Sequence, residues 1–137
     1  MQYWWVNQNQ TFRQERAGGY LWSPKLRADG HRNPFYEFMR EVTPGELILS
    51  FEGTFIRAIS LARSYCYECP KPAEFGASGP NWSDIGWKVD VHYLNLKHQV
   101  RPADHMDKLK EVLPDKYAPI QPGGRGKQGV KKGTLIS

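Results

Sequence analysis

The sequence has little with which to hold a metal. Its two cysteines, Cys66 and Cys69, form a lone Cys-x-x-Cys, and a zinc site would need two further ligands. The four histidines, His31, His92, His98 and His105, show no paired spacing. No βαβ pattern surrounds the cysteines, which argues against a thioredoxin-like pair and leaves two reduced thiols near a strand end. Long apolar runs are missing too. None approaches the roughly 20 residues of a membrane span, so no membrane partner is expected. The N-terminus Met1-Gln2-Tyr3-Trp4-Trp5-Val6-Asn7 has neither the basic start nor the small-residue cleavage site of a signal peptide, and a cytoplasmic location is the expectation.

Catalytic signatures are also absent. There is no G-x-S-x-G, no H-E-x-x-H and no Gly-Lys-Ser/Thr. Asp84, Asp90, Asp104, Asp107 and Asp115 are scattered rather than clustered as a metal-dependent nuclease would need. The stretch Gly124-Arg125-Gly126-Lys127-Gln128-Gly129 fits G-x-G-x-x-G in letters only: it follows prolines, and no strand or helix flanks it. It reads as a basic loop able to lie on phosphates through Arg125 and Lys127. A binding domain is expected, with no cofactor.

What is present is base and indole. The net charge is +5 and the pI about 9.3, which suits a polyanionic partner. With 137 residues, 39% of them hydrophobic, one folded domain over residues 1–137 is expected. Strands are predicted at Tyr3–Asn7, which is aromatic and β-branched, and at Tyr20–Trp22, stopped by Ser23-Pro24; alternation predicts two more, at Glu46–Glu52 and Trp87–Tyr93. It also predicts one long strand from Phe55 to Tyr67 with a bulge near Ala58-Ile59, and a last short strand around Val130 or Leu135. Asn33-Pro34 opens a helix with Phe35, Phe38, Met39 and Val42 on one face. Pro102 opens another, with Met106, Leu109, Val112 and Leu113 inward. Residues 10–19 read as a polar connection. The fold class is α+β: a curved mixed sheet or small barrel of about five to six strands with two or three helices.

Three of the five tryptophans, Trp22, Trp82 and Trp87, stand among Gly, Pro, Ser and Asp, at strand ends or in loops. Trp4 and Trp5 lie inside a strand and read as structural. Indoles outside the core stack on flat rings, and Lys25, Arg27, Arg32 and Lys88 lie near them in sequence. Basic side chains interleaved with aromatics suit a nucleic acid whose bases can be stacked. The same exposed indoles would equally serve a protein partner.

Tyr3-Trp4-Trp5-Val6-Asn7, His31-Arg32-Asn33, Thr43-Pro44-Gly45-Glu46-Leu47-Ile48 and Trp87-Lys88-Val89-Asp90-Val91 together resemble the EVE domain, a PUA-like relative of the YTH domain. Trp22-Ser23, and Trp82-Ser83 followed by Trp87, are similar to the methyl-base cage of YTH domains. The resemblance implies a PUA-like fold that flips a modified base out of DNA, with RNA as the alternative. It implies a cage of Trp22, Trp82 and Trp87, with Asn7, Gln8, Asn9 and Ser23 on the base edge. Phosphate contacts would come from Lys25, Arg27, Arg32, Lys88, Arg125 and Lys127. The base expected is 5-methylcytosine or 5-hydroxymethylcytosine, then N6-methyladenine. The opening Tyr-Trp-Trp-Val-Asn-Gln-Asn-Gln is most similar to EVE domains joined to HNH restriction nucleases, which implies a fused or associated nuclease. One departure stands out: Tyr65–Gly86 is longer and richer in Pro and Gly than a minimal EVE domain, and is expected to reshape the pocket.

Overall fold

The structure, a computed structural model, describes residues 2–26, 30–31, 34–80, 82–109 and 134–136. Arg27, Arg32, Asn33, Val112, Leu113, Arg125, Lys127 and Val130 lie outside the described residues.

Chain order is β1 (Tyr3–Asn7), α1 (Phe12–Gly18), β2 (Tyr20–Pro24) and α2 (Pro34–Glu37), which passes into a 3-10 turn at Phe38–Glu41. β3 (Leu47–Glu52), β4 (Phe55–Ala62) and β5 (Tyr67–Pro70) follow, then a short 3-10 turn at Ala73–Phe75 and the long β6 (Ile85–Val100). A 3-10 turn at Pro102–His105 leads into α3 (Met106–Leu109), and β7 is Thr134–Ile136. The class is α+β, with one curled mixed sheet in the order β2-β6-β4-β3-β1-β7 and β5 added beside β6.

β1 is central. It runs parallel to β3, with Trp4 opposite Ile48, and antiparallel to β7, with Trp4 opposite Leu135. Because successive side chains point to opposite faces, the two neighbouring indoles part company. Trp4 joins the main core with Val6, Leu21, Ile48 and Val89, while Trp5 packs with Phe51 in a second cluster that Met106 also covers. Both are buried, as expected of structural residues. β3 and β4 form a hairpin across Gly53-Thr54, two residues of positive φ (56° and 72°), as tight two-residue hairpin turns require.

The long strand expected from Phe55 to Tyr67 exists, but in two pieces. β4 and β5 both pair antiparallel with the same strand, β6: Ala62 lies opposite Val91 and Tyr67 opposite Lys88. Residues 63–66 interrupt the ladder. There the Arg63 N–H donates to the Asp90 carbonyl at 2.7 Å, and the Ser64 hydroxyl accepts the Asp90 N–H at 2.9 Å. The expected bulge is present, with the register shifting between Ile56 and Ala58.

The stretch read as polar connection contains α1. Its inward residue is a carboxylate, Glu15, which is wholly buried, so no apolar period announces the helix. The turn Thr43–Glu46 is held by Glu46. Its carboxylate accepts the Thr43 N–H at 2.6 Å, the Gln2 N–H at 2.7 Å and the Trp4 indole N–H at 3.1 Å. Burial opposes ionisation of Glu46, but these three donors prevail and hold its carboxyl below its ordinary value. Among the described residues no helix is long and apolar enough to cross a membrane.

Candidate nucleic-acid interface

Strand register decides where the tryptophans go. β2 pairs antiparallel with β6, with Trp22 opposite Lys88 and Ser23 opposite Trp87. Directly opposed residues share a face and neighbours alternate, so Trp22 and Trp87 project from opposite faces of this ladder. The structure brings Trp22 and Trp82 together and sets Trp87 apart from them. The sequence expectation of three indoles around one pocket is corrected in that respect.

Trp22 is also not at a strand end. It lies in the middle of β2 and is fully buried. Its ring crosses β6 at Gly86, where a Cβ would sit 2.4 Å from the indole and 2.3 Å from the Ser23 carbonyl. A strand glycine is needed at such a close approach. The Trp22 indole N–H donates to the Cys69 carbonyl of β5 at 3.0 Å, which fixes the ring across the three strands.

The segment 71–84 folds back over this face. The Lys71 N–H donates to the Asp84 carbonyl at 2.7 Å, closing the loop at its base. The loop carries Trp82 and Phe75 onto Trp22: ring centroids are 6.1 Å apart for Trp22–Trp82, 5.7 Å for Trp22–Phe75 and 6.1 Å for Phe75–Trp82. Tyr20 completes the cluster, 6.3 Å from Phe75, and its hydroxyl donates to Glu74 at 2.6 Å. Burial first, then this acidic partner, pushes the Tyr20 hydroxyl well above its ordinary range. The loop is thus a structured cover over this face of the sheet. Phe75, which no periodicity flags, is its centre.

Trp87 has different company. It is half-buried against the main core, with the Lys25 ammonium 4.3 Å and the Arg40 guanidinium 5.3 Å from its ring centroid. Lys25 also pairs with Glu68. The Trp87 indole N–H is buried and has no hydrogen-bond partner among the described residues. On the other face Lys88 stands 4.6 Å over the Tyr20 ring, and Lys71 lies 5.9 Å from Trp82. Cations and aromatics interleave as expected of Lys25 and Lys88, and Arg40 and Lys71 join them. Arg27, Arg32, Arg125 and Lys127, the other expected phosphate contacts, lie outside the described residues.

The expected base-edge residues divide. Asn7 is buried and accepts the Trp5 indole N–H at 2.8 Å. Asn9 turns to the β3–β4 hairpin and accepts the Gly53 N–H at 3.0 Å. The buried Ser23 hydroxyl donates to the Pro24 carbonyl at 3.0 Å. Gln8 is 1% exposed and its amide donates to Glu15 and, at 3.3 Å, to the Tyr93 hydroxyl. Its carbonyl oxygen has no partner among the described residues. Glu15 links this residue to the aromatic cluster, since it also accepts the Trp22 backbone N–H at 3.0 Å.

Cys66 packs against the main core and Cys69 against the Trp22 cluster. Burial pushes the Cys66 thiol up to about 11, so it is a poor nucleophile at neutral pH. Among the described residues no group of three or more His, Cys, Asp or Glu is placed to hold a metal.

Sheet order, curl and helices define an α+β fold built on one curled mixed sheet. No protein-family model matches the sequence, and no curated protein matches it. Solved structures do. Human THYN1, solved in complex with DNA containing 5-methylcytosine, is 13% identical over 100% of this chain and 91% of its own, with a TM-score of 0.59. The YTH domain of Zygosaccharomyces rouxii MRB1, solved with N6-methyladenosine RNA, is 8% identical over 99% of this chain and 78% of its own, also at 0.59. A Pseudomonas putida protein is 16% identical over 89% of this chain and 93% of its own, at 0.52.

Proposed function

We propose that this chain is a reader of modified bases in DNA, with 5-methylcytosine or 5-hydroxymethylcytosine favoured, and that it binds rather than catalyses. The observation that carries the reading is the Trp22–Trp82 pair. Two indoles meet on one face of the β2–β6–β5 ladder, with Lys71 and Lys88 beside them, in a fold shared with a protein solved on methylated DNA. Flipping a base costs a few kcal/mol, and aromatic stacking returns about 1–3 kcal/mol per base. In this reading stacking on an indole and a hydrogen bond to one buried acceptor, the Gln8 carbonyl oxygen, are the terms set against that cost. A methyl group adds about 0.8 kcal/mol by burial, so hydrogen bonding must supply the rest of the discrimination. Lys25, Lys88, Arg40 and Lys71 contact phosphates in this reading, which makes affinity fall steeply with salt.

Titration of otherwise identical duplexes with and without methylated or hydroxymethylated cytosine, or methylated adenine, is the test. Equal affinity across the set overturns the reading. A second reading, a modified-RNA reader, is favoured by the likeness to a YTH domain solved with methylated RNA. Competition between RNA and DNA carrying the same marked base separates the two. A nuclease acting with this reader would lie in another domain or in a partner, and an HNH motif in the same gene would support that association.

A further inference from the structure

The two indoles do not leave room for a base. Stacking a flat ring between two others needs about 7 Å between nearly parallel faces, twice a carbon–carbon contact. Trp22 and Trp82 are 6.1 Å apart and inclined at 43°. The space beside them is taken by Phe75, 2% exposed, which touches Trp22 and Trp82 edge-on and stacks against Tyr20.

Phe75 sits on a short segment bounded by glycines. Its 3-10 turn is three residues long, and it is followed by Gly76 (φ 55°, ψ −123°) and Gly79 (φ 63°). The Gly76 conformation is open only to glycine, so the shape of the turn is set by sequence. Among the described residues its hydrogen bonds to the rest of the chain are those of the Tyr20 hydroxyl to Glu74, the Lys71 ammonium to the Gly79 carbonyl at 3.0 Å, the Trp82 N–H to the same carbonyl at 3.0 Å, and the Gly79 N–H to the Gln10 side-chain oxygen at 3.1 Å. Beside the turn, and lined in part by Glu74, is an open depression of about 530 Å³ bounded by Arg13, Gln14 and Ala17. That depression gives the turn somewhere to go.

We propose that Phe75 is a resident plug whose ring holds the place of the flipped base, and that the base enters by displacing the Ala73–Gly79 turn. The inference rests on the reader assignment above. It also narrows the ligand. Withdrawing Phe75 frees the space of one benzyl group, the footprint of a single-ring base, so methylated cytosine rather than methylated adenine is the ligand. A closed plug lowers apparent affinity by the fraction of molecules that are open, for marked and plain bases alike.

The test uses the whole chain and three duplexes, one carrying 5-methylcytosine, one N6-methyladenine and one unmodified. Phe75→Ala is expected to tighten binding about tenfold for the methylcytosine and plain duplexes together, leaving their ratio unchanged. Weaker binding makes Phe75 a wall of the site and overturns the plug. Should that variant fail to fold, the wild type labelled with fluorophenylalanine decides the matter. The Phe75 resonance, identified by its loss in Phe75→Leu, is expected to move to the position of a solvent-exposed ring on adding the methylcytosine duplex. An unmoved resonance, in a chain that does discriminate, overturns the plug alone. Equal wild-type affinity for marked and plain cytosine overturns the reader assignment and the plug with it. Binding of the methyladenine duplex as tight as that of methylcytosine overturns the single-ring assignment.

Discussion

The two faces of the β2–β6 ladder each hold an indole, and the two indoles live under different rules. Trp22 is fully buried in a cluster of rings, its N–H bonded, its cover a loop from the same chain. Trp87 is half-buried, its N–H without a partner among the described residues, its ring attended by Lys25 and Arg40. The first is held by packing and shape, the second by packing on one side and charge on the other. A residue's type therefore does not fix its role here. The parity of its position in the paired strands does, because one step along either strand exchanges the aromatic cluster for the cationic rim.

The contrast can be broken most forcefully at its packed end. Trp22→Ala is expected to cost about 3–5 kcal/mol of folding free energy, the range for emptying a large buried aromatic site. Chemical denaturation of this variant beside Trp87→Ala checks it; an equal loss at both positions erases the distinction drawn between the faces. Gly86→Ala comes next. Its Cβ would meet the Trp22 ring and the Ser23 carbonyl at under 3 Å, and the cost expected is about 1–3 kcal/mol. Since Trp22 must shift, the same variant is expected to lose base discrimination while keeping its salt-dependent affinity, which duplex titration at two salt concentrations would show.

Acid sharpens the comparison from the other side. Glu46 ties Trp4 into the main core on which Trp87 rests. Its carboxyl titrates below the ordinary 4.5 in the folded state, so its stabilisation is complete above that value and is lost as pH falls through the folded value. Glu46→Gln is expected to flatten this acid limb, measured as denaturation midpoint between neutral pH and about pH 3. An unchanged limb assigns acid loss to other carboxylates. The smallest effect belongs to the cationic rim. Lys25→Ala and Arg40→Ala are each expected to cost about 0.5–1 kcal/mol of stability, since both cations are partly exposed. Their larger signature is a shallower dependence of DNA affinity on salt, by about one ion each.

How much of this was legible in the sequence follows the same division. Alternation located β3, β4 and the start of β6, where one face lies on the core and the period is two, whereas β1, buried on both faces, was legible from its aromatic and β-branched residues. The Phe55–Tyr67 strand was visible as one pattern although residues 63–66 break it, since both pieces lie along the same strand. β2 carries no alternation at all: all five of its residues are buried. Which way Trp22 points depends on its register against β6, a pairing between residues more than sixty apart that no local pattern reports. α1 was missed because its inward residue is Glu15. Phe75 was missed because a single ring on a three-residue turn has no period. Of the candidate site, the Trp22–Trp82 pairing and the positions of Lys25 and Lys88 among aromatics were legible, and the placement of Trp87 was not.

That inward carboxylate has a consequence for how the molecule tolerates change. Apolar contacts permit sliding: a leucine that shifts by an ångström finds other neighbours. A carboxylate that takes the Trp22 N–H with one oxygen and the Gln8 amide with the other permits almost none. α1 is therefore keyed to β1 and β2 rather than merely packed on them. An insertion or deletion within residues 8–22 turns the key out of its lock, stranding two buried donors even where every hydrophobic contact could be remade. The stretch from Gln8 to Trp22 is where the count of residues is fixed.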